Sequence, residues 1–264
     1  MSVPAWLLSR PIAHRGLHDA AAGIPENSRA AAEAACAAGH PIELDLQPSA
    51  DGVAMVFHDD DLARLTGETG PVTSRSAAEL GRMRLLDSAE TVPSFAEFLD
   101  LVAGRVPLLV EIKSQPGSPA IATNALVEAA LAALDGYEGA VAVMSFNPFA
   151  VAHGVMIRPD LPWGITTGHG PGLFPEHPDT DAAITGGATD PRDYGAAFVS
   201  HGLRAQDAPW IGDLRRAGVP VLAWTIRSPE EEAMARGFAA NITFERYRPD
   251  PGPAPLDHGT DAPD

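Results

Sequence analysis

The sequence predicts an α/β protein built as a (β/α)8 barrel, the TIM-barrel architecture, with a small insertion after the second barrel strand. Short apolar runs alternate with helical segments eight times along the chain, as parallel barrel strands and their helices do. The length of 264 residues fits the ~250 residues that one such barrel needs. About sixty residues separate the second predicted strand from the third, which places the insertion there. We therefore expect one barrel domain over residues 1–248, with the insertion at about residues 47–92.

Eight apolar runs are predicted to form the barrel strands, and most of them end in a polar residue. They are residues 11–14, 42–45, 108–113, 141–146, 163–167, 197–200, 219–225 and 241–244. Because the active groups of this architecture lie at the carboxyl ends of the strands, these polar residues are the first candidates for a functional site.

Five helices are predicted between the strands, at residues 28–38, 94–102, 124–134, 208–217 and 229–236. Ser94 with Glu97 three residues later has the spacing of a capping box. Ser228 followed by Pro229 and acidic residues has the preferred order of a helix start. Gly39 lies where a helix should end before the next strand.

The predicted insertion contains a further strand-like run at residues 53–58, followed by a turn-rich stretch at residues 66–71. Long excursions in this architecture are usually functional loops, so we expect the insertion to bring His58 to the catalytic face. Residues 249–264 are rich in proline and aspartate, and we expect a disordered tail there.

The composition excludes several classes of function. Eighteen Lys and Arg against 35 Asp and Glu give a formal net charge of -17, which disfavours binding to nucleic acid or anionic lipid. A single cysteine, Cys36, allows no disulfide within the chain. No signal-like segment precedes His14, and no apolar run approaches the ~20 residues of a membrane span. The sequence thus predicts a cytoplasmic protein without integral membrane association, and it does not indicate the oligomeric state.

Paired ionisable residues at strand ends predict a metal site. Side chains two apart on a strand point the same way, so Glu43 and Asp45 should project together, and so should Glu111 and Lys113. Charged groups on buried strands are costly unless they share a task. Carboxylate oxygens suit Mg²⁺ or Ca²⁺ and do not distinguish between them. A structural network of ion pairs between these residues is the alternative.

Seven short motifs occur in one order over most of residues 11–227. They are Ala13-His14-Arg15-Gly16, Pro25-Glu26-Asn27-Ser28, Glu43-Leu44-Asp45 with Asp51-Gly52 following, His58-Asp59, Glu111-Ile112-Lys113, Ser145-Phe146 and Trp224-Thr225. In this ordered set the chain resembles the glycerophosphodiester phosphodiesterase family.

The resemblance implies a (β/α)8 barrel with an insertion after its second strand, and a metal-dependent hydrolase of glycerol phosphodiesters. It implies that Glu43, Asp45 and Glu111 bind the metal ion and that His14 and His58 are catalytic. The products would be a phosphomonoester and an alcohol.

The chemistry of a phosphodiester fits these residue types. A divalent cation would neutralise charge on the phosphoryl group. Arg15 and Lys113 would bind the remaining phosphoryl oxygens. Two histidines would supply a base for the nucleophile and an acid for the leaving group. Which histidine takes which role stays open, as does whether the nucleophile is water or a substrate hydroxyl.

Three further residues are candidate substrate contacts. We expect Glu26 to orient a metal ligand or to bind a substrate hydroxyl, whereas Asn27 and Ser28 have the character of helix caps. Phe146 and Trp224 are predicted to line the pocket for the alcohol, although a packing role fits them equally well.

Two positions depart from the family pattern. Arg227 follows Trp224-Thr225-Ile226 where the family usually has Asn, and Phe244 follows Thr243 where relatives commonly have Asp. Arg227 could contact a second anionic group of the substrate, and Phe244 could favour an apolar one.

The sequence therefore predicts a metal-dependent glycerophosphodiester phosphodiesterase that releases glycerol 3-phosphate from a small-molecule substrate. Two alternatives are a lysophospholipase D-type hydrolase and a non-catalytic barrel that binds a phosphorylated metabolite. Against the first is the lack of an amphipathic membrane-binding element, together with the acidic surface. Against the second is the pair of histidines, since binding alone needs no proton donor and acceptor.

Overall fold

Nine strands form one sheet in the computed structural model, which describes residues 3–114, 119–168, 190–205 and 208–249. They are β1 (Ile12–Ala13), β2 (Ile42–Pro48), β3 (Ala54–Val56), β4 (Leu108–Ile112), β5 (Val141–Ser145), β6 (Trp163–Thr167), β7 (Phe198–Gly202), β8 (Val221–Ile226) and β9 (Asn241–Phe244). All but β3 pair in parallel with their neighbours, and β1 pairs with both β2 and β9. The sheet is thereby closed, and the predicted (β/α)8 barrel is confirmed with all eight predicted barrel strands in place.

Nine α-helices occur in the described residues. They are α1 (Ala5–Ser9), α2 (Arg29–Ala38), α3 (Ala63–Thr66), α4 (Ala77–Leu80), α5 (Phe95–Val102), α6 (Pro119–Ala133), α7 (Pro148–Ile157), α8 (Pro209–Arg216) and α9 (Pro229–Ala235). The five predicted helices are α2, α5, α6, α8 and α9, and the capping box at Ser94 and Glu97 is formed. None of the helices in these ranges combines the length and the hydropathy that crossing a bilayer requires.

Helix α7 was not predicted from the sequence. Its residues are apolar around most of the helix, so they lack the one-sided periodicity that marks a surface helix. Asn147 starts the helix by accepting hydrogen bonds from the backbone N–H groups of Phe149 and Ala150. Gly154 then allows Trp163 to pack against the helix, because a Cβ at this glycine would lie 2.1 Å from the indole.

The barrel interior is apolar at its amino-terminal end. Inward-facing side chains from five strands form one buried cluster with Leu7 of α1, which is fully buried. The Asn241 side chain donates hydrogen bonds to the backbone oxygens of Leu7 and Arg10 and so fixes α1 to β9. A larger cluster fills the space between the strands and the surrounding helices. Polar groups are thereby concentrated at the carboxyl-terminal end of the strands.

The segment between β2 and β4 has a small core of its own. Strand β3 runs antiparallel to the end of β2, with Leu46 opposite Val56. Behind it, buried side chains of Phe57, Leu62 and Leu80 belong to a separate apolar cluster. The chain leaves β3 at the carboxyl-terminal end of the barrel, which brings His58 to that end. The expected disordered tail lies outside the described residues from residue 250 onward.

Candidate active site

A cavity of about 260 Å³ opens at the carboxyl-terminal end of the barrel strands. It is lined by nine of the ten predicted site residues: His14, Arg15, Glu43, Asp45, His58, Glu111, Lys113, Phe146 and Trp224. The tenth, Glu26, does not line it. Residues that are far apart in the chain thus line one cavity.

Three buried carboxylates form one wall of the cavity. Glu43, Asp45 and Glu111 are 2%, 1% and 5% exposed, and one oxygen atom from each lies within 4.8 Å of the other two. Strand register explains the arrangement, because Asp45 on β2 lies directly opposite Glu111 on β4 and Glu43 shares the face of Asp45. Three oxygen donors at this spacing could hold a divalent metal ion.

Two cationic side chains contact the carboxylates. Lys113 Nζ lies 2.7 Å from Asp45 Oδ1 and also contacts Glu111. Arg15 Nε lies 3.4 Å from Asp45 Oδ2, and the Arg15 backbone N–H donates to Glu43 Oε2 at 2.9 Å. The two cations offset two of the three negative charges, which leaves the cluster with an excess negative charge.

The electrostatics of the cluster favour a further cation. Burial raises the pKa of Glu43 well above its ordinary value, and the neighbouring charges of Asp45 and Glu111 raise it further. Burial also acts to raise the pKa of Asp45, but Lys113, His58 and Arg15 outweigh it and hold that pKa below its usual range. A divalent ion between the carboxylates would relieve the repulsion, so this donor set fits the metal ion that the sequence predicts.

His14 is oriented by a carboxylate that follows the last strand. Its Nδ1 lies 2.6 Å from Glu245 Oε2, and because an ionised carboxylate can only accept, Nδ1 donates the hydrogen. Its Nε2 lies 4.0 Å from Glu43 Oε2, on the side of the three carboxylates. Burial, assisted by the charge of Arg15, lowers the pKa of His14 to about 4.

His58, which also lines the cavity, has the same kind of contact with a carboxylate. Its Nδ1 lies 2.6 Å from Asp59 Oδ1, so the ring also donates from Nδ1 to a carboxylate. Both histidines are thereby held in the tautomer that leaves Nε2 free to exchange a proton. Asp59 is fixed in turn by Arg64 of α3, whose Nε and Nη2 donate to it at 2.5 and 2.8 Å.

Glu26 forms ion pairs with two arginines, and its expected role in orienting a metal ligand or binding a substrate hydroxyl stays a prediction. Its carboxylate accepts hydrogen bonds from Arg15 Nη1 at 2.5 Å and from Arg64 Nη1 and Nη2 at 2.9 and 2.7 Å. Burial by itself would raise the pKa of Glu26, but the two guanidinium groups lower it to about 2. Glu26 therefore positions Arg15, which in turn contacts Asp45.

The adjacent pair Asn27-Ser28 separates into two roles. Ser28 caps α2 as predicted, because its side chain accepts from the Ala31 backbone N–H. Asn27 is not a cap: it has a left-handed backbone with φ 56° and donates from Nδ2 to Asp45 Oδ2 at 2.8 Å. The expectation that both residues are caps is therefore wrong for Asn27, which binds Asp45 of the carboxylate cluster instead.

Phe146 and Trp224 form an apolar wall of the cavity. Their rings meet edge to face, with centroids 5.7 Å apart. Trp224 Nε1 donates to the backbone oxygens of Thr167 and Ser200, both at 3.1 Å. The indole is thus fixed across the ends of β6 and β7.

The two departures from the family pattern do not reach the cavity. Arg227 Nε donates to Glu245 Oε1 at 2.7 Å, so this guanidinium supports the carboxylate that orients His14. Phe244 is 1% exposed and packs against His40 and Tyr247. Because side chains alternate along β9, Thr243 lines the cavity and Phe244 points away from it. The suggested apolar contact of Phe244 with substrate is therefore wrong.

Sequence comparison finds one family across this region. The model of the glycerophosphoryl diester phosphodiesterase family matches residues 14–243. A glycerophosphodiester phosphodiesterase from Bacillus altitudinis is 34% identical over 113 residues, which is 40% of this chain and 45% of the relative. Another, from Caldanaerobacter subterraneus subsp. tengcongensis, is 29% identical over 166 residues, 58% of this chain and 65% of the relative. The aligned part is thus less than two thirds of either relative's length.

Solved structures share the fold at lower identity. An Oleispira antarctica phosphodiesterase in complex with the product sn-glycerol-3-phosphate has a TM-score of 0.73 and 23% identity, over 90% of this chain and 93% of that one. A glycerophosphodiester phosphodiesterase from Parabacteroides distasonis has a TM-score of 0.72 and 19% identity, over 90% and 92% of the two chains. Because the family model covers residues 14–243 of 264, the chain belongs to the glycerophosphoryl diester phosphodiesterase family.

Proposed function

We propose that this protein hydrolyses glycerophosphodiesters to glycerol 3-phosphate and an alcohol, with a divalent metal ion bound by Glu43, Asp45 and Glu111. The observation that supports this most is the convergence of three carboxylates and two carboxylate-oriented histidines on one cavity. Family membership supports the same chemistry. All three donors offer oxygen, so Mg²⁺ and Ca²⁺ both remain candidates.

The phosphoryl group would be bound by the cationic side of the cavity. When bound, the metal ion would neutralise phosphoryl charge and stabilise the transition state by several kcal/mol. Arg15 and Lys113 would hold the phosphoryl oxygens that the ion leaves free, Arg15 through its planar fork and Lys113 as a point charge. Carboxylates already hold both side chains in place, so the substrate would bind them with little loss of side-chain conformational entropy.

His14 and His58 would transfer the protons. One would remove a proton from the nucleophile, either water or a substrate hydroxyl, and the other would protonate the leaving alkoxide. Because His14 and His58 make the same Nδ1 contact with a carboxylate, either histidine could be the base and the other the acid. Each proton transfer would contribute roughly 10²–10⁴-fold to the rate.

The cavity would take the glycerol phosphate part of the diester. Phe146 and Trp224, which line it, would contact the alcohol. The Oleispira antarctica neighbour binds sn-glycerol-3-phosphate, a product of this kind. The sole cysteine, Cys36, suits a reducing compartment, so we also propose a cytoplasmic location, which cell fractionation would test.

A substrate panel tests the proposal. Glycerophosphocholine, glycerophosphoethanolamine, glycerophosphoglycerol and lysophosphatidylcholine would each be incubated with the protein and Mg²⁺ or Ca²⁺. We expect turnover of at least one glycerophosphodiester, its loss in EDTA, and its loss in His14→Ala without weaker binding of Mg²⁺ or Ca²⁺. Turnover of the lysolipid alone would favour the lysophospholipase D alternative. No turnover of any diester with metal supplied would favour a binding protein.

A further inference from the structure

A second group of metal-binding side chains lies behind His14, away from the carboxylate cluster. One ligand atom from each of His14, His18 and Glu245 lies within 4.8 Å of the other two. Glu245 Oε2 is 2.6 Å from His14 Nδ1 and 3.5 Å from His18 Nε2. The His18 side chain is 16% exposed, and its buried Nε2 atom has no hydrogen-bond partner among the described residues. This nitrogen therefore carries an unused lone pair or hydrogen beside a carboxylate.

The backbone brings these three residues together. After β1, Arg15 and Gly16 adopt left-handed conformations with φ 54° and 77°, and the resulting turn returns His18 toward His14. Barrel closure between β9 and β1 places Glu245 beside them, and the His14 backbone N–H donates to the Phe244 oxygen at 2.9 Å. The arrangement is thus a product of the fold and not of a mobile surface chain.

Glu245 presents one oxygen to each kind of neighbour. Its Oε1 lies 2.7 Å from Arg227 Nε and 3.3 Å from Arg246 Nε. Its Oε2 is left to face the two imidazoles. The arginines fix the carboxylate and reduce its net charge without occupying the oxygen that faces the histidines.

We propose that His14, His18 and Glu245 form a binding site for a borderline-soft transition metal ion such as Zn²⁺, and that occupation of this site inhibits the enzyme. Two imidazole nitrogens and one carboxylate oxygen are a donor set that Zn²⁺ accepts. Transition metal ions of this kind bind nitrogen donors more strongly than Mg²⁺ and Ca²⁺ do. The cluster of Glu43, Asp45 and Glu111 offers only oxygen donors and therefore suits Mg²⁺ and Ca²⁺. The protein would therefore sort the two classes of metal ion between adjacent sites.

The inhibition follows from the proton balance at His14. The metal ion would take the place of the hydrogen that His14 Nδ1 now donates to Glu245, and that hydrogen would move to Nε2, so the ring stays neutral and releases no proton. With Nδ1 bound to the metal ion, Nε2 carries the single ring hydrogen. A ring in this state cannot accept a proton, and it is a far weaker acid than an imidazolium ion. His14 would be lost as base and as acid alike, so the inhibition, which rests on the proposed function, does not depend on which role it has.

Metal binding can be measured independently of turnover. Zinc sulfate would be titrated calorimetrically into metal-free wild-type protein and into His18→Ala, His18→Gln and His153→Ala. His153 is a matched control, because its Nε2 lies 2.9 Å from Glu128 Oε1 in another histidine-carboxylate pair outside the cavity. We expect the loss of His18 to weaken one Zn²⁺ site by at least about 10-fold, with His153→Ala unchanged. Glu43→Gln, which alters the carboxylate cluster, should leave this site in place.

The inhibition requires a second measurement on the same variants. With Mg²⁺ in excess, increasing zinc should inhibit the wild-type protein and His153→Ala at the same concentration. Without zinc, both His18 variants should turn over substrate as fast as the wild-type protein does. The zinc concentration that inhibits them should rise by the same factor as their zinc affinity falls. Equal zinc affinity or equal inhibition in wild type and His18 variants would overturn the proposal, and so would zinc that binds through His18 without inhibiting. Should no diester be turned over at all, the calorimetric result would still decide whether the site exists.

Discussion

Arg64 links His58 to Arg15 through two carboxylates. Its removal should lower kcat strongly and the free energy of unfolding only slightly. Its guanidinium donates to Asp59 at 2.5 and 2.8 Å and to Glu26 at 2.7 and 2.9 Å. Asp59 orients His58, and Glu26 holds Arg15. In Arg64→Ala both carboxylates would lose a cation that now holds them, so His58 would lose its fixed orientation.

The structure limits the effect on stability. The Arg64 side chain is 48% exposed, so solvent screens both ion pairs. Exposed pairs contribute ~0.2–1 kcal/mol each, and two of them contribute ~1–2 kcal/mol at most. For a chain of this size that is a decrease of only a few degrees in Tm. By contrast, acid-base catalysis is worth roughly 10²–10⁴-fold, so a misoriented His58 should lower kcat by about 10–100-fold.

The assay compares three variants on the best glycerophosphodiester substrate. Arg64→Ala should lower kcat by this factor and change KM much less, because Arg15 keeps its contacts with Glu26 and Asp45. Arg64→Lys should recover part of kcat, since a lysine supplies the charge without the planar fork. Arg105→Ala is the matched control. The Arg105 side chain is 42% exposed and donates two hydrogen bonds to Glu33, at 2.9 and 2.6 Å, outside the cavity.

Both alanine variants should lose a similar, small amount of stability in thermal unfolding, and only Arg64→Ala should lose activity. If kcat of Arg64→Ala equals that of Arg105→Ala, the link from Arg64 through Asp59 to His58 has no part in catalysis.

Three further predictions concern the backbone, the cavity wall and pH. Gly16→Ala should lower the free energy of unfolding by ~1–3 kcal/mol in urea titration, because φ is 77° and a Cβ would lie 2.8 Å from Ala31 Cβ; unchanged stability would show that the turn can relax. Trp224→Ala should raise KM and alter the preference among alcohols, and an unchanged profile would remove Trp224 from the substrate pocket. Burial lowers the pKa of His14 from 6.5 in the unfolded chain to about 4 in the folded protein. Between these two pH values the unfolded chain therefore binds a proton at His14 that the folded protein does not bind. Wild-type stability should fall as the pH is lowered through this window, and equal loss in His14→Asn would contradict this.

The barrel was predictable because its signal is local. Each parallel strand is a short apolar run, and strand alternation places Glu43 with Asp45 on one face without knowledge of the rest of the fold. The same rule accounts for the failure at Phe244, where a family position was given more weight than the alternation that turns its side chain away from the cavity.

Supporting contacts were missed because they depend on barrel closure and on the docking of the insertion. Glu245 reaches His14 across 231 positions of sequence, and no periodicity relates the two. Arg64 lies in the short helix α3 of the insertion, and only the folded insertion brings it to Glu26. Asp59 offered a signal, since it directly follows His58, but adjacency alone does not show that it accepts from the ring.

The central claim is that three carboxylates bind one divalent ion beside a phosphoryl group that lies between two histidines. The most direct test is a crystal structure with bound Mn²⁺ and glycerol 3-phosphate, in which anomalous scattering locates the Mn²⁺ ion. We expect one Mn²⁺ peak at ~2.0–2.5 Å from an oxygen of each of Glu43, Asp45 and Glu111, with the phosphate within reach of His14 and His58. A strong peak elsewhere, with Lys113 still paired to an ion-free cluster, would contradict the account.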